Sequence, residues 1–444
     1  MAQQENNSRI SKLLPYWFLL FTIGFGWFIL APLVPSLGKA FGVGLSEILL
    51  LVSSYGYTMV VLGLLAGYIS AKFTVKSALY SAAILSVIGF IGRALAPNYL
   101  MFFITGLVAA IAYPLAMAPV GSVSESIYKE RSHTVIGVSV GLLFFGMALG
   151  AFFGPGLFSA IGLKGTLWIT VMLAIIAAIW IGFGIRGYPT NYKGKSLKGA
   201  FKPGMIKNWY VGLAISSMSV MFGGIASTVL ILHKIPTLQA IGYGGLMGGL
   251  AFLGSAIGAI LLPPLFEQYK KPRLGLITTG IMSFIFVAVM AIGLAYTVDI
   301  LLIASGFFLF GFFGNAFWSM AMTSTTNYVS DPAQAGFATS MFSVFTNLGV
   351  AIVPVFLGPA FGKFSTLAIG VGCVLAIEFV AMLLSPFLKA DKYEDNKSNN
   401  SLREAKHSAA QATSSTRGLK PAKNPTASNK KTMSRTKSKQ ESRK

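Results

Sequence analysis

The chain has 444 residues, of which 54% are apolar and 11% are charged, and its formal net charge is +22. An average soluble domain carries roughly 25% charged residues, so this composition excludes an ordinary soluble protein. The single cysteine, Cys373, excludes an internal disulfide and a cysteine metal site. We therefore expect an all-α membrane protein, because a helix satisfies its own backbone hydrogen bonds within hydrocarbon.

Twelve apolar segments are long enough to span a membrane, since about 20 helical residues cross roughly 30 Å of hydrocarbon. Arg9 and Lys12 precede the first segment, which has no small-residue cleavage site and is interpreted as a retained helix. The predicted spans are 13–35, 46–70, 77–96, 99–124, 135–160, 166–185, 208–232, 241–265, 274–298, 300–325, 336–359 and 366–388.

The predicted spans divide six and six around the longest connection that precedes the C-terminal tail. Lys and Arg are concentrated in alternate loops, so the positive-inside rule predicts that both termini and this connection face the cytoplasm in a cell membrane. The predicted units are a cytoplasmic N-terminus (1–12), a first six-helix bundle (13–185), a cytoplasmic linker (186–207), a second six-helix bundle (208–388) and a cytoplasmic tail (389–444).

The predicted tail differs from the rest of the chain, because it holds 15 of the 35 basic residues and few large apolar side chains. Such a composition predicts disorder. We expect the tail to bind anionic lipid heads, at about 1 kcal/mol per basic residue near the surface. Nucleic acid is not an expected partner, because no aromatic residue beyond Tyr393 is interleaved with the charges.

The loop after the second predicted span carries a known pattern. Gly67, Lys72 and Lys76 match the glycine and two of the basic positions of G-x-x-x-D-R-x-G-R-K, but Ala71 replaces the acidic residue. This loop resembles a motif of the major facilitator superfamily, and Glu267 takes the acidic position in the matching loop of the second half. In that family the loop forms charge contacts that stabilise the outward-open state, which implies a gating role here.

The fifth predicted span resembles a second signature of the same family, g-x8-G-x3-G-P, with Gly141, Gly150, Gly154 and Pro155. The signature is commonest in exporters. Independently of the family, Gly146, Gly150 and Gly154 recur every four residues and predict a flat helix face that another helix can approach closely. Ordinary packing in a static bundle is the alternative interpretation.

The resemblance covers residues 13–388 and implies a fold of two pseudo-symmetric six-helix bundles around a central cavity. It also implies a small-molecule substrate, alternating access and a monomer. In this fold the fifth span is expected to pack against the glycine-rich eighth span, at the interface where the two halves move.

Ionisable residues inside spans are functional candidates, because charge at bilayer depth is costly. Glu125 and Glu378 are the possible coupling residues. Glu125 is also interpreted as part of an inner gate or as a solvated helix end, and Glu378 as a carboxyl bonded to a neighbouring helix. Arg93 is expected to extend to the outer interface.

The predicted cavity helices carry aromatic and amide groups but no ionisable residue at mid-membrane. Amphipathic rings with a few hydrogen-bonding groups favour a neutral or weakly amphipathic organic solute. Each residue has packing or interface anchoring as its alternative role. The predicted cavity residues are Trp27, Tyr57, Tyr113, Asn315, Trp318 and Asn347.

These patterns favour a secondary transporter. A multidrug or metabolite exporter of the same family is an alternative, and a non-transporting receptor or scaffold that acts through its basic tail is an alternative of another class. No HExxH, GxSxG, P-loop or paired-carboxylate arrangement occurs in the spans, so an enzyme is not expected. No cofactor or metal site is expected either.

Overall fold

The computed structural model describes residues 2–72, 74–117, 120, 123, 127, 132–186, 188, 201–328 and 332–390. In this part of the chain all regular elements are helices, which confirms the all-α fold class. Residues 189–200 of the predicted linker, nearly all of the predicted tail and Glu125 lie outside the described residues.

The α-helices are numbered in chain order, and short 3-10 turns extend several of them. The helices are α1 (Ala2–Phe28), α2 (Val34–Phe41), α3 (Leu45–Val52), α4 (Ser54–Lys72), α5 (Val75–Leu95), α6 (Tyr99–Ala110), α7 (Ala112–Met117), α8 (Ser132–Gly184), α9 (Ile206–Leu232), α10 (Thr237–Gln268), α11 (Pro272–Tyr296), α12 (Ile300–Thr326), α13 (Pro332–Leu357) and α14 (Phe364–Leu384).

The described residues contain 10 helical segments that could cross a membrane, or 11 when α3 and α4, bent by 45°, are counted as one span. The segment Gly137–Gly184 counts once in that number although it has 48 residues, about 72 Å of helix at 1.5 Å per residue. It is broken at Gly162, whose φ of 68° is left-handed and favours glycine. Counting α3 and α4 as one span and dividing α8 at Gly162 gives twelve spans, the predicted number.

The first two spans are both interrupted near one end of the bundle. The α1 helix ends at Phe28 and is followed by the 3-10 turn Ala31–Leu33 before α2 begins. Pro32 and Pro35 account for this break, because proline lacks an N–H group and clashes with the preceding helical turn. The second span bends at Ser53, within a Ser-Ser pair of the kind that often accompanies helix kinks.

Polar side chains cap the helices that begin in loops. The Thr74 hydroxyl accepts a hydrogen bond from the Ser77 N–H at 3.0 Å and starts α5. Asn98 accepts from the Met101 N–H at 3.0 Å at the start of α6, and an Asp299 carboxylate oxygen accepts from two N–H groups of α12. These caps satisfy donors that have no partner within the helix.

Large apolar side chains cover the outer faces of the helices. Phe183, Leu301 and Phe356 have 68%, 79% and 80% of their surface exposed. Such surfaces favour hydrocarbon over water, so the chain is a multi-pass membrane protein with its outer faces in lipid.

The helices pack as two groups that contact each other along two seams. In the first group α1 and α5 pack against α8, and in the second α9 packs against α13 and α10 against α12. One seam joins α8 to α10, and the other joins α4 to α13. The predicted division at residues 186–207 remains a prediction.

Candidate functional site

The seam between α8 and α10 is a close helix crossing. A methyl group added at Gly245 would lie 2.6 Å from the Ala151 carbonyl oxygen and 2.6 Å from the Pro155 ring. On the same helix, a methyl group at Gly249 would overlap the Phe152 ring. The structure thus places the fifth and eighth spans in contact, as expected, and the gating role of Pro155 remains a prediction.

The glycine stripe of α8, however, does not form that seam. Methyl groups at Gly150 and Gly154 would lie 2.6 Å and 2.7 Å from the carbonyl oxygens of Phe25 and Ile29, and one at Gly146 would overlap Phe21, all within the first span. The flat face predicted from these glycines therefore packs against the first span, not the eighth. An i, i+4 pattern identifies a small-residue face but not its neighbour, and α8 packs two different faces against α1 and α10.

Gly141 lies near the other end of α8 and does face the second half. A methyl group there would lie 2.7 Å from the Ile260 side chain of α10. The seam therefore extends from Gly141 to Pro155 along α8.

Three aromatic rings of the first half form a cluster beside the other seam. Trp27 stacks on Tyr55 with ring centroids 4.6 Å apart, and Tyr113 lies 5.4 Å from Trp27. The side chain of Tyr113 interacts with that of Asn347, on α13 of the second half. The structure thus brings together three predicted cavity residues, Trp27, Tyr113 and Asn347.

Tyr55 is a member of this cluster that the sequence analysis missed. The helix break at Ser53 resets the register of the second span, so that Tyr55 faces Trp27. The predicted Tyr57 is half-buried two residues further on, outside the described ring contacts. The Ser-Ser pair before Tyr55 is the signal that could have indicated this change of register.

An aromatic chain continues from this cluster into the second half. Trp27 is 5.9 Å from Phe28, and Phe28 is 4.3 Å from Phe252 of α10. Phe144 lies 6.1 Å from Phe252 and 6.5 Å from the predicted Trp318. We call these five residues the aromatic belt; Trp27, Phe28 and Phe144 belong to the first half, and Phe252 and Trp318 belong to the second.

The two predicted second-half residues on α12 have different surroundings. The Asn315 amide donates a hydrogen bond to the Ser255 hydroxyl at 2.6 Å and so links α12 to α10. The Trp318 indole N–H has no hydrogen-bond partner among the described residues, although 9% of the side chain is exposed. Asn315 therefore packs within one half, whereas Trp318 retains an unused donor at the interface.

Arg93 does not extend to the membrane interface, so that expectation is wrong. Its side chain is 5% exposed, and Nη1 donates a hydrogen bond to the Gly26 carbonyl at 3.2 Å. Its guanidinium lies 5.7 Å and 5.4 Å from the ring centroids of Phe90 and Phe102. The α1 break accounts for this position, because the last carbonyls of a helix lack partners and attract positive charge.

A second hydrogen bond connects the breaks in the first two spans. The Trp27 indole N–H donates to the Val52 carbonyl at 2.7 Å, and Val52 is the last residue of α3. Trp27 and Arg93 thus each satisfy a carbonyl that a helix break exposes.

Glu378 lies on α14 and is 1% exposed, inside the second half rather than toward lipid. Its Oε1 has no hydrogen-bond partner within the described residues. The nearby Tyr210 hydroxyl donates to the Ile377 carbonyl at 3.1 Å. The predicted role of Glu378 in coupling stays a prediction.

The predicted loop residues are described only in part. Lys76 donates a hydrogen bond to the Arg186 carbonyl at 2.6 Å and so ties the start of α5 to the end of α8 within the first half. The surroundings of Gly67 and the side chains of Lys72 and Glu267 lie outside the described part of the structure. Their predicted gating role therefore stays a prediction.

Two interrupted spans, two seams between helix groups and an aromatic interface at these seams define a polytopic membrane protein. The sequence profile of the Major Facilitator Superfamily matches residues 16–354 and 245–428. The chain belongs to this superfamily of membrane transporters.

Individual relatives agree with this assignment. The chain is 25% identical over 387 residues to the uncharacterized MFS-type transporter YwfA of Bacillus subtilis (strain 168), covering 83% of this chain and 89% of that protein. Among solved structures, a mutant of the nucleoside transporter NupG is similar with a TM-score of 0.65 and 15% identity, covering 84% of this chain and 98% of that one.

A second solved structure is a bacterial homolog of the human lysosomal transporter Spinster, in an inward-facing and occupied conformation. It has a TM-score of 0.62 and 15% identity, and covers 84% of this chain and 95% of that one. At this level of identity the two structures show a shared fold.

Proposed function

We propose that this protein is a secondary transporter that moves a small, weakly amphipathic organic solute across the cell membrane by alternating access. One observation carries the proposal: the halves contact each other at one end of the bundle through a segment between two helix breaks. We call residues 29–52 the gate hairpin. It comprises the Ala31–Leu33 turn, α2 and α3.

The gate hairpin contacts the second half mainly through apolar side chains, and Leu49 is fully buried among residues of that half. The Ser227 hydroxyl of α9 donates a hydrogen bond to the Pro32 carbonyl at 3.2 Å. A methyl group added at Gly224 would lie 2.9 Å from the Leu49 side chain. One neutral hydrogen bond contributes only about 0.5–1.5 kcal/mol, so the apolar packing around Leu49 accounts for most of the free energy that separation of these surfaces would cost.

The packing beneath the hairpin is also incomplete. An open cleft of about 280 Å³ lies between the hairpin and α9. Val34 and Ile48 line it from the first half, and Thr228 and Ile231 line it from the second. This cleft supports a segment that opens and closes, because it leaves space beside the hairpin that no side chain fills.

The aromatic belt and the Tyr113–Asn347 pair support a solute site between the halves. Tryptophan and tyrosine rings provide apolar surface together with hydrogen-bonding groups, which suits an amphipathic solute. The interpretation in favour of a neutral solute rested on the absence of ionisable residues at mid-membrane from the predicted cavity helices. Arg93, on α5, is nevertheless a buried guanidinium that contacts the first span at Gly26, so a charged solute remains an alternative.

Thermal unfolding against a panel of sugars, amino acids, organic acids and amphipathic cations tests for such a site. A ligand at 100 times its dissociation constant stabilises the native state by about 2.7 kcal/mol. We expect saturable stabilisation by one chemical class, and uptake of that solute into proteoliposomes. No stabilisation by any class, together with no uptake, would favour the receptor or scaffold interpretation.

A pair of tryptophan variants locates the site. Trp318→Phe keeps an aromatic ring but removes the N–H that has no partner among the described residues, so we expect solute affinity to fall about threefold to tenfold. Trp168→Phe is the matched control, because Trp168 is 42% exposed on the outer face of α8. Equal affinities in both variants would place the site elsewhere.

A further inference from the structure

Arg93 carries a buried positive charge for which the described residues provide no carboxylate partner. Its described contacts are the Gly26 carbonyl, the rings of Phe90 and Phe102, and an electrostatic interaction with the Tyr55 hydroxyl. All of these groups are uncharged. Buried charges are normally paired, because an unpaired charge in an apolar environment is costly.

Donor groups around Arg93 also exceed the acceptors. A guanidinium has five N–H groups, and the hydrogen bond to the Gly26 carbonyl uses one of them. Within the described part of the chain the Arg93 Nε–H has no acceptor, and the Tyr55 hydroxyl, beside the guanidinium, donates its proton to no acceptor. Two adjacent side chains therefore have donors available for an acceptor from outside the protein.

The position of these donors connects them to the proposed solute site. The Tyr55 ring, whose hydroxyl lies near Arg93, stacks on Trp27. Trp27 lies beside Tyr113, which interacts with Asn347 across the seam. A molecule held by Arg93 and Tyr55 would thus have its remaining atoms next to the rings at the interface between the halves.

We propose that the solute is an organic anion whose carboxylate binds the Arg93 guanidinium and the Tyr55 hydroxyl, with its apolar body against Trp27 and Tyr113. Guanidinium N–H groups match the two oxygens of a carboxylate in spacing and charge. The anion would also supply the missing countercharge. This assignment rests on the proposed transport function and narrows its substrate class.

Arg93 also acts as a cap for the broken α1 helix, and that role alone would explain its burial. The two roles predict different results. If Arg93 is only a helix cap, replacing it lowers the stability of the fold but leaves the preference among ligands unchanged. If its guanidinium binds the solute, replacing it lowers the preference for charged over uncharged ligands. Ligand selectivity therefore separates the two roles.

Matched pairs of carboxylates and amides measure this selectivity. The probes are phenylacetate and phenylacetamide, benzoate and benzamide, hexanoate and hexanamide, and lactate and lactamide, each titrated against the purified wild-type protein at constant ionic strength. Binding is followed by tryptophan fluorescence and by thermal unfolding. We expect at least one carboxylate to bind at least tenfold more tightly than its amide.

Variants then assign that preference to the two side chains. In Arg93→Gln we expect the acid-to-amide ratio to fall to about one, and in Arg93→Lys to remain partly above one because the charge is retained. Tyr55→Phe removes only the unpartnered hydroxyl and should lower the ratio about threefold. Tyr55→Phe retains the ring that stacks on Trp27, so we expect this variant to fold. It therefore tests the proposal even if Arg93→Gln does not fold.

Each contrary result has a separate meaning. Equal binding of acids and amides by the wild-type protein would overturn the anion assignment but leave solute transport standing. A ratio that persists in Tyr55→Phe and in the Arg93 variants that fold would likewise overturn it. Binding of neither member of any pair would overturn the assignment, and it would count against the proposed function only if the broader solute panel also failed.

Discussion

Gly150→Leu is expected to destabilise the folded protein by at least about 3 kcal/mol, the upper end of the usual range for overpacking. The added Cβ would lie 2.6 Å from the Phe25 carbonyl oxygen of α1. This neighbour is helix backbone and cannot rotate away, so α1 and α8 must separate. Thermal unfolding in detergent measures the loss.

Gly156→Leu is the matched control on the same helix. An added Cβ at Gly156 has no neighbour within 4 Å among the described residues, and Gly156 is exposed. We expect its unfolding temperature to match that of the wild type. Equal losses in the two variants would show that the α1–α8 crossing is not the origin of the effect.

Gly245→Leu is expected to change the conformational equilibrium rather than the stability of either half. Its side chain would displace the Ala151 carbonyl and Pro155 across the α8–α10 seam. Overpacking of this kind costs about 1–3 kcal/mol, and here it destabilises only the conformation in which this seam is closed. The ratio of open to closed protein therefore rises by a factor of roughly 5 to 150. We therefore expect faster thiol labelling of a cysteine in the gate hairpin and slower transport.

Gly242→Leu provides the control for the seam. Gly242 lies on the same helix and is exposed, and a Cβ added there would have no described atom within 4 Å. We expect wild-type labelling and transport from it. If Gly245→Leu unfolded the protein, or changed labelling no more than Gly242→Leu, the α8–α10 contact would be a static packing contact.

The spans were predictable because their signal is local. About 20 apolar residues suffice to identify each one, and the break at Gly162 lies between the predicted spans 135–160 and 166–185. The pairing of faces was not predictable, since Gly146, Gly150 and Gly154 pack against α1 instead of α10. A stripe of small residues contains no information about which helix fills the groove.

The candidate site was predictable only in part, for a similar reason. Trp27, Tyr113 and Asn347 were identified as amphipathic groups within spans, but Tyr55 was not, because the bend at Ser53 alters the helical register. The location of Arg93 was predicted wrongly, because a basic residue near the end of a span was expected to extend to the membrane–water interface. Its burial depends on a carbonyl that becomes available only where α1 breaks.

Alternating access is the central claim, and spin-label distances across the gate hairpin test it most directly. Lys39 and Thr237 are exposed, in the hairpin and at the start of α10. Cys373→Ser removes the one native cysteine, so labels can be attached at Lys39→Cys and Thr237→Cys. We predict two distances in proteoliposomes, with the longer one more populated in Gly245→Leu and with proportions that change when solute is added. A single distance under all of these conditions would contradict the account.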